Sequence, residues 1–268
     1  MLNFIRPNRD RRVISLPMYD VEHPATLALI GELARRLQQR GFTEQQTRVV
    51  WPDDLAGHWQ SQELLLSQTC GYPLVTLLDS VRTIGCFHYT AAGCQDYRYR
   101  SLYVVRDTDR HHDVADFFGQ RLVCNSADSQ SGYNVWVRRL AEQKSSITEF
   151  FSEVHFSGGH RQSLMALQQQ TADITAVDCV SLALFSRYHP QWLHGLTVIE
   201  QSPLTPGLPL IASAQVTFQQ VQLLRQTLTE LVTDPVNQPL CAPLFIGGFS
   251  EISREAYQGL IPTDRSLP

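Results

Sequence analysis

The feature that most constrains the fold lies in the middle of the chain, where strand, turn and helix follow one another three times. The first unit is the run Arg121-Leu122-Val123-Cys124-Asn125, a polar Ser/Gly turn, and a helix predicted from Gly132 to Glu142. The second is Val154-His155-Phe156-Ser157, the pair Gly158-Gly159, and a helix from His160 to Gln170. The third is Ile174-Thr175-Ala176-Val177, then Asp178, then a helix to about Tyr188. Each helix carries the chain back to the edge where the next strand starts. Units of this length therefore predict an α/β fold with a mainly parallel, helix-covered sheet.

The flanks read in the same alternating way. Val13 to Tyr19 is a strand running into a loop. Glu22 to Arg40 is a helix, with Leu27, Ile30, Leu33, Ala34 and Leu37 at helical spacing and Gly41 as its stop. Strands are predicted at Thr47–Trp51, Leu64–Gln68, Thr83–Tyr89, Tyr99–Arg106, Leu196–Glu200 and around Leu210-Ile211. Helices are predicted at Gly71–Val81 and at Thr217–Thr233, the latter with Val221, Leu224, Leu228 and Leu231 on one face.

Composition removes several functions. The formal net charge of −4 gives no electrostatic case for nucleic acid or an anionic membrane surface. No apolar run approaches the roughly 20 residues needed to span a bilayer. Lys144 is the only lysine and stands in a stretch without glycine, so a phosphate loop of the GxxxxGK[ST] type is absent. None of the six cysteines forms a CxxC pair, which indicates neither a zinc ribbon nor a thioredoxin-type site. Cys124 and Cys179 lie in apolar contexts and read as buried. Cys70 and Cys94 adjoin glycines and read as the more exposed pair, and a disulfide stays open. His111, His112 and their acidic neighbours Asp109 and Asp113 read as a solvated loop. No metal, cofactor or catalytic residue is expected. The N-terminal Met1 to Arg12 carries charge without a following apolar stretch of about 7–15 residues, so it does not read as a secretory signal.

In an open parallel sheet, ligands bind beyond the carboxyl ends of the strands. The three turns are thus the places to look. The turn Asn125 to Gly132 offers the hydroxyls of Ser126, Ser129 and Ser131 and backbone N–H groups at a helix start. The same serines could be plain helix caps. The turn at Ser157, Gly158, Gly159 and His160 lets backbone approach a ligand closely, and His160 at a helix start would welcome an anion. Asp178, at the third strand end, reads as a helix cap or as the acceptor for a ligand proton or amine. Tyr19 and Gln68-Thr69 follow two first-half strands and could reach the same crevice. Tyr89, Tyr97 and Tyr99 read as hinge or lid aromatics, or as ordinary half-buried tyrosines.

These residues together resemble a known family. The segments Asn125-Ser126-Ala127-Asp128-Ser129-Gln130-Ser131-Gly132-Tyr133, Ser157-Gly158-Gly159-His160-Arg161-Gln162-Ser163-Leu164 and Ala172-Asp173-Ile174-Thr175-Ala176-Val177-Asp178 resemble the PhnD-like phosphate/phosphonate-binding components of ABC transporters. That resemblance implies a type 2 periplasmic-binding-protein fold of two α/β lobes around a ligand cleft. It implies a discontinuous first lobe of residues 1–88 plus 190–268 and an inserted second lobe of 89–189. It further implies that Ser129, Gln130, Ser131 and Gly132 cradle phosphoryl oxygens. His160 would supplement them, Asp178 would read the ligand's proton or amine, and Tyr19 would be the first-lobe contact; Ser157 and Gln68 join this candidate set by their places in the second turn and after the third strand. The implied partners are a small phosphate- or phosphonate-class oxyanion and an ABC permease. A monomer in the periplasm is the expectation, with the cytoplasm as the alternative set by the missing signal. The residues alone also leave open an enzyme using His160 with Asp178, or Cys70 or Cys94, and a metabolite sensor on the same scaffold.

Overall fold

The computed structural model describes residues 11–261. The N-terminal segment read against a signal peptide lies outside these residues up to Asp10. Two sheets organise the rest. The first runs, in spatial order, Ile246–Ser250, Val81–Tyr89, Pro209–Ser213, Leu64–Gln68, Val13–Ile14 and Arg48–Val49. The second runs Leu196–Gln201, Ser101–Arg106, Ile174–Asp178, Arg121–Cys124 and Glu153–Phe156.

Parallel pairing is confined to the βα segments. Arg121–Cys124 pairs in parallel with both Glu153–Phe156 and Ile174–Asp178, and Val13–Ile14 does so with Arg48–Val49 and Leu64–Gln68. The other pairs in both sheets are antiparallel. The cause is topological. Ser101–Arg106 and Pro209–Ser213 enter their sheets from the junction between lobes, and so run against the strands of the βα units. The junction itself is a two-stranded crossing in which Arg98–Tyr99 pairs antiparallel with Thr205–Pro206.

One expected boundary differs. Leu196–Gln201, assigned by its sequence position to a first lobe resuming at residue 190, hydrogen bonds along Ser101–Arg106 in the second sheet. The return to the first sheet falls after it, through Thr205–Pro206. An antiparallel neighbour needs no crossover helix, so the pairing left no βα signature in the sequence.

Helices cover both sheets. His23–Gln39 buries Thr26, Leu29, Ile30, Leu33, Ala34 and Leu37. Leu27, expected on that face, points outward and is 46% exposed, because the buried stripe runs from Thr26 to Leu29 and Ile30 and leaves positions 27 and 28 on the solvent side. Phe218–Thr233 is capped by Thr217, whose hydroxyl accepts from Gln220 N, and buries Val221, Leu224, Leu228 and Leu231. Fully burying each such leucine contributes about 1.5–3 kcal/mol. The helix Cys179–Tyr188 joins the lobes. Its Cys179, Val180 and Leu184 share one apolar cluster with Leu16, Tyr19 and Leu29 of the first lobe. At its far end Tyr188 donates to Pro243 O at 2.9 Å, and the Arg187 guanidinium lies over the Phe245 ring at 3.6 Å.

Candidate functional site

The ends of strands from both sheets converge on one buried polar cluster between the lobes. Asp178 is its hub. The residue ends the strand Ile174–Asp178 and caps the helix Cys179–Tyr188. Its Oδ1 accepts from Val180 N at 3.0 Å and Ser181 N at 2.8 Å, and its Oδ2 accepts from Ser181 Oγ at 2.6 Å. From the opposite lobe the Tyr19 hydroxyl donates to Oδ1 at 3.0 Å. His160 Nε2 lies 3.4 Å from Oδ2 and 3.1 Å from Ser131 Oγ. Because a carboxylate only accepts, the neutral His160 ring carries its hydrogen on Nε2. Burial lowers the His160 pKa, with Asp178 pulling it partly back up. A neutral imidazole removes the conflict of a cation at a helix start.

The first strand–turn–helix unit departs from a simple α-helix. Gln130–Asn134 forms one π-helical turn, and Val135–Ala141 then continues as α-helix. Asn134 N reaches back to Ser129 O at 2.9 Å, while Ser129 Oγ accepts from Gly132 N at 3.0 Å. Such turns widen a helix locally and recur at functional sites. Gly132 is needed for packing here, since a Cβ would stand 1.9 Å from Asn125 Oδ1. The backbone N–H of Gln130 faces the first lobe and donates to Cys70 Sγ at 3.3 Å. Its side chain does not face the cleft, because its Oε1 accepts from Asn134 Nδ2 at 2.7 Å. Asn134 Nδ2 also donates to Leu260 O at 2.9 Å, and Arg138 Nη1 to Gly259 O at 2.6 Å, so a C-terminal turn straps the second lobe to the first.

The sequence-predicted residues divide accordingly. Tyr19, Ser131, His160 and Asp178 meet in one network, with Ser129 and Gly132 in the adjoining turn. Gln68 lies on the first-lobe wall, where its Nε2 donates to Tyr89 OH at 3.0 Å and the Tyr89 ring meets Tyr19 edge-on at 5.1 Å. Ser157 is different. Its hydroxyl is spent within its own turn, on Cys124 O, Gly159 O and Ser163 Oγ. Gly158, with φ +89°, is the residue that shapes that turn. Cys70, expected to be exposed, is buried under the Gln130 turn, and burial pushes its thiol up to about 11.

Tyr99 belongs to the cluster and its role was not resolved by sequence. It sits on the crossing strand Arg98–Tyr99 and is 3% exposed, and burial pushes its pKa up, with the negative charge available to Cys70, Asp178 and Cys179 adding to that. Its hydroxyl is beside Ser131 yet completes no hydrogen bond of good geometry. His160 Nδ1 and Thr69 Oγ1 are likewise buried without a partner. Buried polar atoms are seldom left unpaired, so these three mark where a polar ligand could be accommodated. Beside Tyr19 and Gln68 a small apolar cavity is lined by Leu16, Leu29, Phe87, Tyr89, Leu244 and Ile246. Among the described residues no helix is long and apolar enough to cross a membrane, and no group of three or more His, Cys, Asp or Glu side chains could hold a metal ion.

Comparison with known proteins agrees with this architecture. Residues 23–257 match the family model described as ABC transporter, phosphonate, periplasmic substrate-binding protein. No curated protein matches by sequence. Among solved structures, PhnD1 from Prochlorococcus marinus (MIT 9301), in complex with methylphosphonate, superposes with a TM-score of 0.74 at 13% identity, over 94% of this chain and 96% of its own. A binding-protein component of an ABC phosphonate transporter from Pseudomonas aeruginosa gives 0.72 at 18% identity, over 92% and 83%. A Xanthomonas citri protein bound to chloride gives 0.72 at 15% identity, over 94% and 96%. At these identities the structural likeness is one of fold, that of a two-lobe periplasmic binding protein. The match over residues 23–257 places the chain in the phosphonate-binding family of periplasmic substrate-binding proteins of ABC transporters.

Proposed function

We propose that the chain captures a small phosphonate- or phosphate-class oxyanion between its lobes, as a periplasmic monomer, and delivers it to an ABC permease. The observation that carries this reading is the convergence of Ser131, His160 and Asp178 from the second lobe with Tyr19 from the first, in a buried cluster. The donors facing the cluster are hydroxyls, amides and one imidazole. Such donors bind an anion by charge-assisted hydrogen bonds that strengthen as water is excluded. Ser129 and Ser131 hold the phosphoryl oxygens, Tyr99 completes their coordination, and His160 orients the Ser131 hydroxyl. Asp178 acts mainly by holding Tyr19 and His160 in place, since its own lone pairs are already engaged.

The cavity beside Tyr19 has no charged residue in its lining, which favours a small uncharged substituent on the ligand. Methylphosphonate should therefore bind more tightly than 2-aminoethylphosphonate. Titration calorimetry with these two compounds, phosphate and sulfate tests the proposal. Ser131→Ala should weaken binding by about 1–3 kcal/mol, the cost of losing one buried donor to a charged group. Absence of binding to every phosphoryl compound, or unchanged affinity in Ser131→Ala, would remove the assignment.

A further inference from the structure

Cys94 and Cys179 are 85 positions apart in sequence, yet their sulfurs lie 3.4 Å from one another. Both are free thiols. Their surroundings differ. Cys179 is buried in the first turn of the helix Cys179–Tyr188, directly after Asp178, and its N–H is held by Arg100 O. Cys94 is half-buried in the segment that leaves the strand Val81–Tyr89.

That segment is anchored to the first lobe. Thr90 N donates to Phe245 O, and Tyr97 O accepts from Gly207 N and from Cys86 Sγ. Gly93, with φ +97°, turns the backbone so closely over Cys179 that a Cβ on it would meet the Cys179 Cβ at 3.1 Å. The two sulfurs thus face each other at the junction of the lobes. A disulfide requires about 2.05 Å between sulfurs, so the pair must close by roughly 1.4 Å to form one.

We infer that Cys94 and Cys179 are a dithiol–disulfide pair whose oxidation staples the Asp178 strand end to the first lobe and restrains opening of the cleft. The oxidant is a small disulfide or the disulfide of a thiol oxidoreductase. Cys94, the more accessible thiol, loses its proton and attacks one sulfur of that disulfide, forming a mixed disulfide and expelling one thiolate. Cys179 loses its proton and attacks the Cys94 sulfur, forming the internal S–S bond and expelling the second thiolate. The two cysteines lose two electrons and two protons, and the oxidant leaves as two thiols. The other four cysteines are buried, and none of them has a sulfur bonded to a second cysteine sulfur among the described residues.

The test treats the full chain with oxidised glutathione and maps disulfides by peptide mass spectrometry, with the variant Cys94→Ser, which cannot form the pair, in parallel. The expected result is a Cys94–Cys179 linked peptide in the wild type, cleaved by dithiothreitol, and no internal disulfide in Cys94→Ser. Amide exchange at Gln130, whose N–H reaches Cys70 only when the lobes are closed, should slow by about tenfold on oxidation of the wild type and not of the variant. A chain that stays reduced, or pairs other cysteines, overturns the assignment of the pair. A correct disulfide with unchanged Gln130 exchange overturns its effect on opening. Both readouts are independent of any ligand, and Cys94→Ser alters a half-buried residue, so the test does not depend on the buried Cys179 tolerating substitution.

Discussion

Replacing Asp178 by asparagine changes one atom and tests the hub directly. The carboxylate is 3% exposed and takes two bonds from the helix N-terminus, one from Ser181 Oγ and one from Tyr19. Asparagine can keep its Oδ1 towards Tyr19, Val180 and Ser181 N. Its amide nitrogen then stands where Oδ2 accepted from Ser181 Oγ and faced His160 Nε2. Ser181 can rotate to accept. His160 must shift its hydrogen to Nδ1, an atom that has no partner in this structure. Hydrogen bonds to charged groups contribute about 1.5–3 kcal/mol each, against about 1 for neutral ones. Weakening four bonds partially gives an expected loss of about 2–4 kcal/mol. For a chain of this size that lowers Tm by roughly 4–16 °C, measurable by calorimetry. Ser181→Ala removes only the hydroxyl bond and should cost about 1 kcal/mol. If Asp178→Asn were as stable as the wild type to within about 0.5 kcal/mol, the carboxylate would not be the organising group, and the account of the site would fail.

Other outcomes follow from the same geometry. Tyr19→Phe keeps the ring and deletes the bond across the cleft. It should cost about 1.5 kcal/mol, at the low end for a bond to a carboxylate because Asp178 Oδ1 keeps its two amide donors, and urea denaturation reads it. The buried, lowered pKa of His160 means the unfolded chain binds more protons than the native one below about pH 6.5. Stability therefore falls as pH drops through that range, and His160→Gln should flatten the slope, as urea midpoints at about pH 8 and about pH 5.5 would show. Gly132→Ala drives a methyl group into Asn125 and should cost about 1–3 kcal/mol, with Asn125→Ala recovering part of it. Equal melting temperatures for Gly132→Ala and the wild type would mean the turn relaxes freely.

The legible part of the fold was the part with local periodicity. Leu64–Gln68 and Cys179–Tyr188 follow from their apolar runs and from the Asp178 cap that precedes the helix. The three βα turns pointed to one crevice because parallel strands all present their carboxyl ends to the same side. What sequence did not show was set by distant partners. Ile246–Ser250 contains two glycines and becomes a strand only by pairing with Val81–Tyr89. The π-helical turn at Gln130–Asn134 depends on Ser129 as cap and on Asn134 being held by Leu260 O, 126 residues away. Ser157 looks like a ligand contact by composition, yet Ser163, six residues on, takes its hydroxyl. Tyr99 has no motif around it, and its place in the cleft comes from the crossing strands.

The site's own contacts explain how closure and binding are coupled. Tyr19 to Asp178, Gln130 N to Cys70, and Asn134 to Leu260 all join the lobes, and each is buried. They hold the cleft shut with its polar atoms mostly satisfied. Atoms on Tyr99, His160 and Thr69 are among the buried ones that stay unpaired in this arrangement, and each unpaired buried group costs about 1–3 kcal/mol. The closed form is thus held by its bridging bonds and strained by its orphans. An oxyanion that supplies acceptors to the hydroxyls of Tyr99 and Thr69 removes that strain in the closed form alone, because in an open cleft water would satisfy them. A ligand shifts a two-state equilibrium only by its difference in affinity for the two states. On the proposed function, that difference resides in the Tyr99 and Thr69 hydroxyls, which makes closure the expected response to an oxyanion.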